Sequence, residues 1–120
     1  MDVALWVASG VLAAIVMMAG LTKALLPKSR LHEMGLTYVE DFSARFIRTL
    51  GWAEVAGAVG LILPVLTGVA PVLAAVAAIC LAVTMVGAVV VHLRRGETSK
   101  VLMPLVLLAL SVFVAWGRLT

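Results

Sequence analysis

The chain has 120 residues, of which 64% are hydrophobic and 12% are charged, and its formal net charge is +3. Its mean hydropathy of +1.21 leaves too little polar surface to cover a water-soluble globule. This composition excludes a soluble domain and predicts a single transmembrane domain over residues 1–120, in contact with the lipid bilayer. Membrane topology then explains the positive charge, and no nucleic-acid partner is expected.

Three long uncharged runs define the predicted helices. Val3 to Thr22, Leu50 to Val91 and Val101 to Gly117 together contain a single charged residue, Glu54. About twenty residues at about 1.5 Å each cross a hydrocarbon core of about 30 Å. The middle run is about twice that length, so it must turn once, near Pro64 to Pro71. Because each span has to satisfy its own backbone hydrogen bonds, the sequence predicts an all-α fold, an antiparallel four-helix transmembrane bundle. The predicted helices cover residues 3–26, 43–63, 72–91 and 101–118.

Cys80 is the single cysteine and lies in the middle of an apolar run. It has no partner for an intrachain disulfide, for dithiol chemistry or for a Cys-x-x-Cys metal site. We expect it to be a small buried apolar side chain. The sequence predicts no metal site.

The distribution of Lys and Arg predicts the orientation. Positive charges collect in and beside the first and third loops, residues 27–42 and 92–100, whereas the second loop has none. Loops one and three are therefore expected in the cytoplasm, with both termini on the other side, and Arg118 is the one contrary charge. Asp41 or Ser43 is a suitable N-cap for the second span.

Four ionisable residues are predicted to meet at the cytoplasmic end of the bundle. Lys23 ends span one, Glu54 lies about two turns into span two, His92 ends span three, and Glu97 follows in the short loop. Ionisable groups within a span are costly and mark functional sites. We expect Lys23 to be the counter-ion of Glu54, a buried base or ligand anchor. Histidine changes charge near neutral pH, so His92 is the candidate for proton exchange with water. These four are the candidate catalytic residues.

Each of these residues also has a structural alternative. Lys23 could extend to the headgroups, Glu54 could hold helices together, and His92 could be an ordinary interface residue. Small residues on spans one and two predict close helix approach and a pocket walled by Gly20, Gly57 and methionines. The methionines expected to line this pocket for a lipophilic small molecule are Met17, Met18, Met85 and Met103.

Three segments of the sequence resemble a known family. Together they are similar to the DoxX-like family of small four-helix bacterial membrane proteins, and the resemblance covers essentially the whole chain. The segments are Gly20-Leu21-Thr22-Lys23, the stretch GWAEVAGAVGLILP from Gly51 to Pro64, and His92-Leu93-Arg94-Arg95-Gly96-Glu97.

The resemblance implies a bacterial plasma-membrane location and a redox association. The family takes its name from the membrane subunits of a thiosulfate:quinone oxidoreductase, and a mycobacterial relative is associated with a superoxide dismutase and a thiosulfate sulfurtransferase. A membrane component of an oxidoreductase system is therefore implied, which binds a quinone or docks a soluble redox enzyme at its cytoplasmic face. The family motif matches at Lys23, Glu54, His92 and Glu97.

Two other functions stay open at this point. A membrane-embedded hydrolase or isomerase would use Glu54 and His92 as base and acid on a lipophilic substrate such as an epoxide or isoprenoid. A small proton-coupled transporter would protonate Glu54, although transporter sites usually lie near the midplane and Glu54 is predicted near one face. So thin a bundle is also a candidate for pairing as a homodimer.

Overall fold

The computed structural model describes residues 2–120, which form four long α-helices and a folded loop at one end. No strand occurs in this part of the chain, so the predicted all-α four-helix bundle is confirmed. The α-helices are α1 (Asp2–Leu25), α2 (Lys28–Glu33), α3 (Ala44–Thr67), α4 (Val72–Arg94) and α5 (Leu102–Leu119), and single 3-10 turns cover Thr37–Asp41 and Thr98–Lys100.

The four long helices form a ring in which α1 packs on α3, α3 on α4, α4 on α5, and α5 on α1. The beginning of α1 and the end of α5 meet where Leu5 lies against Gly117. We call this end, which also carries the turn at residues 68–71, the turn end. The opposite end carries α2 and both 3-10 turns, and we call it the polar end.

Two helices end clearly later than predicted. The third span was expected to stop at Val91, but α4 continues to Arg94. The second span was expected to stop at Leu63, but α3 continues through Pro64 to Thr67. A proline lacks only its own N–H, and a helix within a membrane tolerates that loss near its last turn. Gly68 ends the helix with a φ of +75°, and its N–H donates to the Pro64 carbonyl at 3.0 Å. At the other end, Ser43 caps α3 as predicted, because its hydroxyl accepts the Phe46 N–H at 3.1 Å.

The bundle buries a modest apolar core and leaves most of its apolar surface on the outside. Leu12, Leu61, Ala78 and Val114, one from each long helix, are fully buried at its centre. Large apolar side chains cover the exterior of all four helices, and each of these helices is long and apolar enough to cross a membrane. An exterior of this kind needs lipid around it. The protein is an integral membrane protein.

The expectation that Cys80 is buried is wrong, because its side chain lies on the outward face of α4. The run from Val72 to Val91 is apolar on every side of the helix. Such a helix carries no periodic signal that separates the inward face from the lipid face. The sequence therefore could not tell which way Cys80 points.

The first loop is folded around a small core of its own. Leu31, Val39 and Ile47 are all buried there, and Leu36 and Phe42 pack against them. This core fixes α2 and the first 3-10 turn against the beginning of α3. The loop therefore closes the polar end of the bundle.

Residues of the short loop between α4 and α5 hold the first loop in place. The Arg95 guanidinium contacts Asp41 at 2.6 Å and Glu40 at 2.7 Å. Its hydrogen bond lowers the pKa of Glu40. Lys100 Nζ donates to the Gly35 carbonyl at 2.7 Å. These contacts are polar and partly exposed, unlike the apolar core beneath them.

Candidate functional site

Two glycines bring α1 and α3 into backbone contact beside the charged residues. A Cβ added to Gly20 would lie 2.7 Å from the Gly51 carbonyl oxygen, and one added to Gly51 would lie 2.6 Å from the Gly20 carbonyl oxygen. Only glycine permits so close a crossing. A Cβ on Gly20 would also lie 3.0 Å from the Glu54 Cβ, and one on Gly51 would lie 2.9 Å from the Lys23 Cβ, so both charged residues stand at this crossing, one helical turn apart.

Lys23 and Glu54 form a buried ion pair. The Lys23 Nζ donates to Glu54 Oε1 at 2.7 Å, and the side chains are 13% and 3% exposed. Glu54 thus points into the bundle, as expected for a site shared with Lys23. The second oxygen of the carboxylate, Oε2, is also buried and has no hydrogen-bond partner among residues 2–120.

His92 and Glu97 form a second pair at the end of α4. The His92 Nδ1 lies 3.0 Å from Glu97 Oε1, while the Thr37 hydroxyl donates to Glu97 Oε2. The hydrogen bond from Thr37, and then that from His92, lowers the pKa of Glu97 to about 2. An ionised carboxylate only accepts hydrogen bonds, so a neutral His92 ring carries its proton on Nδ1 and leaves Nε2 as an acceptor.

Tyr38 lies between the two pairs, and the sequence reasoning missed it. Its ring meets the His92 ring edge-on, with 5.6 Å between centroids. Burial raises the pKa of Tyr38, the Lys23 ammonium lowers it, and the Glu54 carboxylate raises it, so its hydroxyl lies near both charged groups. Tyr38 sits in the polar first loop, where an aromatic residue carries no periodic signal. Only the fold of that loop reveals it.

A cavity of about 950 Å³ lies between the four helices in the polar half of the bundle. Its walls are almost wholly apolar. The polar or charged residues that line it include Lys23, Tyr38, Glu54 and His92. Glu97 contacts His92 but does not line the cavity. The four predicted site residues therefore come together as one pair in the cavity wall and one pair that reaches the cavity through His92.

The predicted walls of the cavity are partly wrong. Met18, Met85 and Met103 line it, but Met17 does not. Gly20 and Gly57 are also absent from the wall, because each is covered by a neighbouring helix. Gly20 faces the α3 backbone, and a Cβ on Gly57 would lie 3.0 Å from the Leu81 side chain of α4.

Within residues 2–120 there is no group of three His, Cys, Asp or Glu side chains that could hold a metal ion. The polar groups of the cavity offer donors and acceptors for an organic ligand instead. Lys23 has further N–H donors beyond the one given to Glu54, and Glu54 Oε2 and His92 Nε2 are acceptors.

Four membrane helices around an apolar cavity with charged groups at one end define a small integral membrane protein with a cavity between its helices. The chain belongs to the DoxX-like family, whose family model matches residues 7–114. This confirms the resemblance seen in the sequence. No curated protein and no solved structure gives a significant match.

Proposed function

We propose that this membrane protein binds a quinone in the cavity and serves as a membrane component of an oxidoreductase system in the bacterial plasma membrane. The observation that carries the proposal is the cavity, with about 950 Å³ of apolar space and charged groups at one end. Pockets for organic ligands typically measure about 300–1,000 Å³. A molecule with a small polar head and an apolar tail matches both parts, and the family resemblance favours a quinone among such molecules.

The residues present fit a quinone head. Lys23 can donate a hydrogen bond to a ring oxygen, and the Tyr38 hydroxyl and the His92 ring lie on the same side of the cavity. Phe42 and Met85 provide apolar surface for the ring and the tail. When bound, a quinone supplies a carrier of electrons and protons. The role of the chain is to bind and orient it and, through His92, to exchange protons with the loops.

A lipophilic ligand can reach the cavity from the membrane. Met18 on α1 and Met103 on α5 line it and are 73% and 56% exposed. These helices are neighbours that meet at the turn end, where Gly117 lies on Leu5. The gap between them in the polar half is therefore the opening toward lipid.

The polar end also suits a soluble partner. Arg30, Arg45, Arg48 and Arg94 are exposed there, and none of them forms an ion pair within residues 2–120. The distribution of Lys and Arg predicts that loops one and three face the cytoplasm. Unpaired cations on that face would dock an acidic surface of a soluble redox enzyme by charge complementarity.

The ligand can be tested with two matched glycine variants. An added Cβ meets nothing within 4 Å at Gly87, which lines the cavity, or at Gly10, which does not. Gly87→Phe should fill the cavity, whereas Gly10→Phe should leave it open. The wild type and Gly10→Phe, purified in mild detergent, should retain quinone that mass spectrometry detects, and Gly87→Phe should lose it. Equal quinone in all three, or none in any, would contradict the proposal.

A second candidate is a membrane-embedded acid–base enzyme, and the His92–Glu97 pair favours it. Glu97 holds the proton on Nδ1, so Nε2 can accept a proton from a substrate or a water molecule. Incubation with a lipophilic epoxide would then give a diol, and His92→Gln would abolish the product. The transporter alternative has less support, because Lys23 holds the Glu54 carboxylate in a short ion pair.

A further inference from the structure

Among the described residues, one oxygen of the Glu54 carboxylate is hydrogen-bonded and the other is not. Oε1 accepts from Lys23 at 2.7 Å, while Oε2 is buried without a partner in a side chain that lines the cavity. An unpaired carboxylate oxygen away from water is costly, and native structures rarely leave one unexplained. A ligand that satisfies Oε2 would therefore gain affinity.

The other hydroxyl and ammonium groups of the cavity wall do not donate a hydrogen bond to Oε2. The Thr22 hydroxyl donates to the Met18 carbonyl at 2.7 Å, and the Thr84 hydroxyl donates to the Cys80 carbonyl at 2.9 Å. Lys100 donates to the Gly35 carbonyl and to Thr37. The Tyr38 hydroxyl lies beside Lys23 and makes no hydrogen bond to Oε2 among the described residues, which leaves a molecule in the cavity as the source of a donor.

We propose that the cavity selects ligands whose polar head donates a hydrogen bond, so that it binds a lipophilic quinol in preference to the corresponding quinone. The choice of a quinol rests on the proposed function, whereas the requirement for a donor rests on Glu54 alone. A hydroxyl group can interact with both charged side chains, because its O–H donates to Glu54 Oε2 while its oxygen accepts from Lys23. A carbonyl or an ether oxygen can only accept, and it leaves Oε2 unpaired.

The carboxyl group can present Oε2 to such a head. The terminal torsion of a glutamate is broad, so the carboxyl group can turn to present one oxygen to such a head while the flexible Lys23 side chain follows the other. Sites built to bond a hydroxyl discriminate strongly against analogues that lack it. We expect the donor ligand to bind at least about 10-fold more tightly than its acceptor-only counterpart.

Two ligand pairs test this proposal on the purified protein in detergent. The first is an octylphenol and its methyl ether, which differ only in the donor. The second is a decyl-substituted benzoquinone, titrated in its oxidised form and, under anaerobic conditions, in its reduced form. Tighter binding of the phenol and of the quinol is expected. Equal binding within the phenol pair, or tighter binding of the ether, would overturn the donor requirement. Selective binding of the phenol without binding of either benzoquinone form would retain the donor requirement and refute the quinone proposal.

Substitution of Glu54 should reverse the preference. In Glu54→Gln, the amide oxygen can accept from Lys23 and the amide NH₂ then faces the cavity as a donor, so the ether and the quinone should bind better than the phenol and the quinol. Thr84→Val is the matched control, because its hydroxyl is already bonded to the backbone. It should keep the wild-type preference. A Glu54→Gln protein that still prefers the phenol would contradict the assignment of Oε2, and if that variant does not fold, the wild-type ligand pairs decide the question alone.

Discussion

Removal of Lys23 should destabilise the protein far more than removal of an exposed cation. In Lys23→Met the Glu54 carboxylate, which is 3% exposed, would have neither oxygen partnered. Breaking a buried pair by deleting one partner typically costs about 3–5 kcal/mol. Lys23 itself is 13% exposed, so water or headgroups relieve part of that cost. We expect about 3 kcal/mol, which corresponds to a fall of about 10 °C in the unfolding midpoint.

Glu54→Gln and the double variant measure the interaction energy between Lys23 and Glu54 separately from the other contacts of each residue. Glu54→Gln keeps a hydrogen bond from Lys23 to the amide oxygen and loses the charge attraction, so its cost should be about 1 kcal/mol, the difference between a hydrogen bond to a charged group and one to a neutral group. The double variant Lys23→Met with Glu54→Gln should be close to Glu54→Gln alone, because it no longer contains an unpaired charge. The resulting coupling energy is about 2–3 kcal/mol, near the upper range for contacting residues.

The assay is thermal unfolding in detergent for the wild type, both single variants, the double variant and Arg48→Met. Arg48 is an exposed cation on α3 and should change the midpoint by little. Additive effects of the two single changes would refute the reasoning. A Lys23→Met midpoint equal to that of Arg48→Met would do so as well, because it would show that the Glu54 carboxylate does not depend on its cation.

The packing, the pKa of Glu97 and the charge distribution each give a further prediction. Gly51→Ala places a Cβ 2.6 Å from the α1 backbone and should lower the free energy of unfolding by about 1–3 kcal/mol. In the control Gly10→Ala the added Cβ has no neighbour within 4 Å, so this variant should be tolerated. Equal unfolding midpoints for the two variants would contradict the close crossing of α1 and α3. Because the folded pKa of Glu97 is lowered from 4.5 to about 2, its stabilisation should be complete above about pH 4.5 and lost as the pH falls toward 2. Glu97→Gln should remove that part of the acid dependence of unfolding, and an unchanged pH profile would argue against it. With Cys80 replaced by alanine, Ser99→Cys should be protected from membrane-impermeant thiol reagents in intact cells and Val69→Cys should be labelled; the reverse pattern would invert the topology.

Much of the fold was predictable because lipid imposes simple rules on a chain. Four spans follow from run length and the absence of charge, and the antiparallel order follows from the short connections. Depth is then fixed by position in a span, so the sequence predicts Lys23 and Glu54 at about the same depth. In the structure they lie one helical turn apart, and the long Lys23 side chain closes the ion pair.

The helix faces in contact were harder to predict. The stripe of Gly57 and Gly60 was expected to support close approach, and it does so against α4, but Gly51 makes the closest contact with α1. A signal for this was present in the sequence. Gly51 and Glu54 are three residues apart and belong to one buried stripe of α3, so the glycine that permits the crossing and the carboxylate beside it share one face.

Packing density explains why the charged residues occupy the polar half of the bundle. Toward the turn end the helices are in close contact, with Gly60 against Ala77 and Gly117 against Leu5. In the polar half α1 and α3 still touch at Gly20 and Gly51, but a cavity lies between the four helices, and the Lys23–Glu54 pair stands in its wall. A buried ion pair contributes little stability compared with apolar residues of similar volume, and such residues would also fill the space. The chain thus places its most costly groups in the wall of a cavity, an arrangement that adds little to the stability of the bundle and that fits the proposed binding of a polar head.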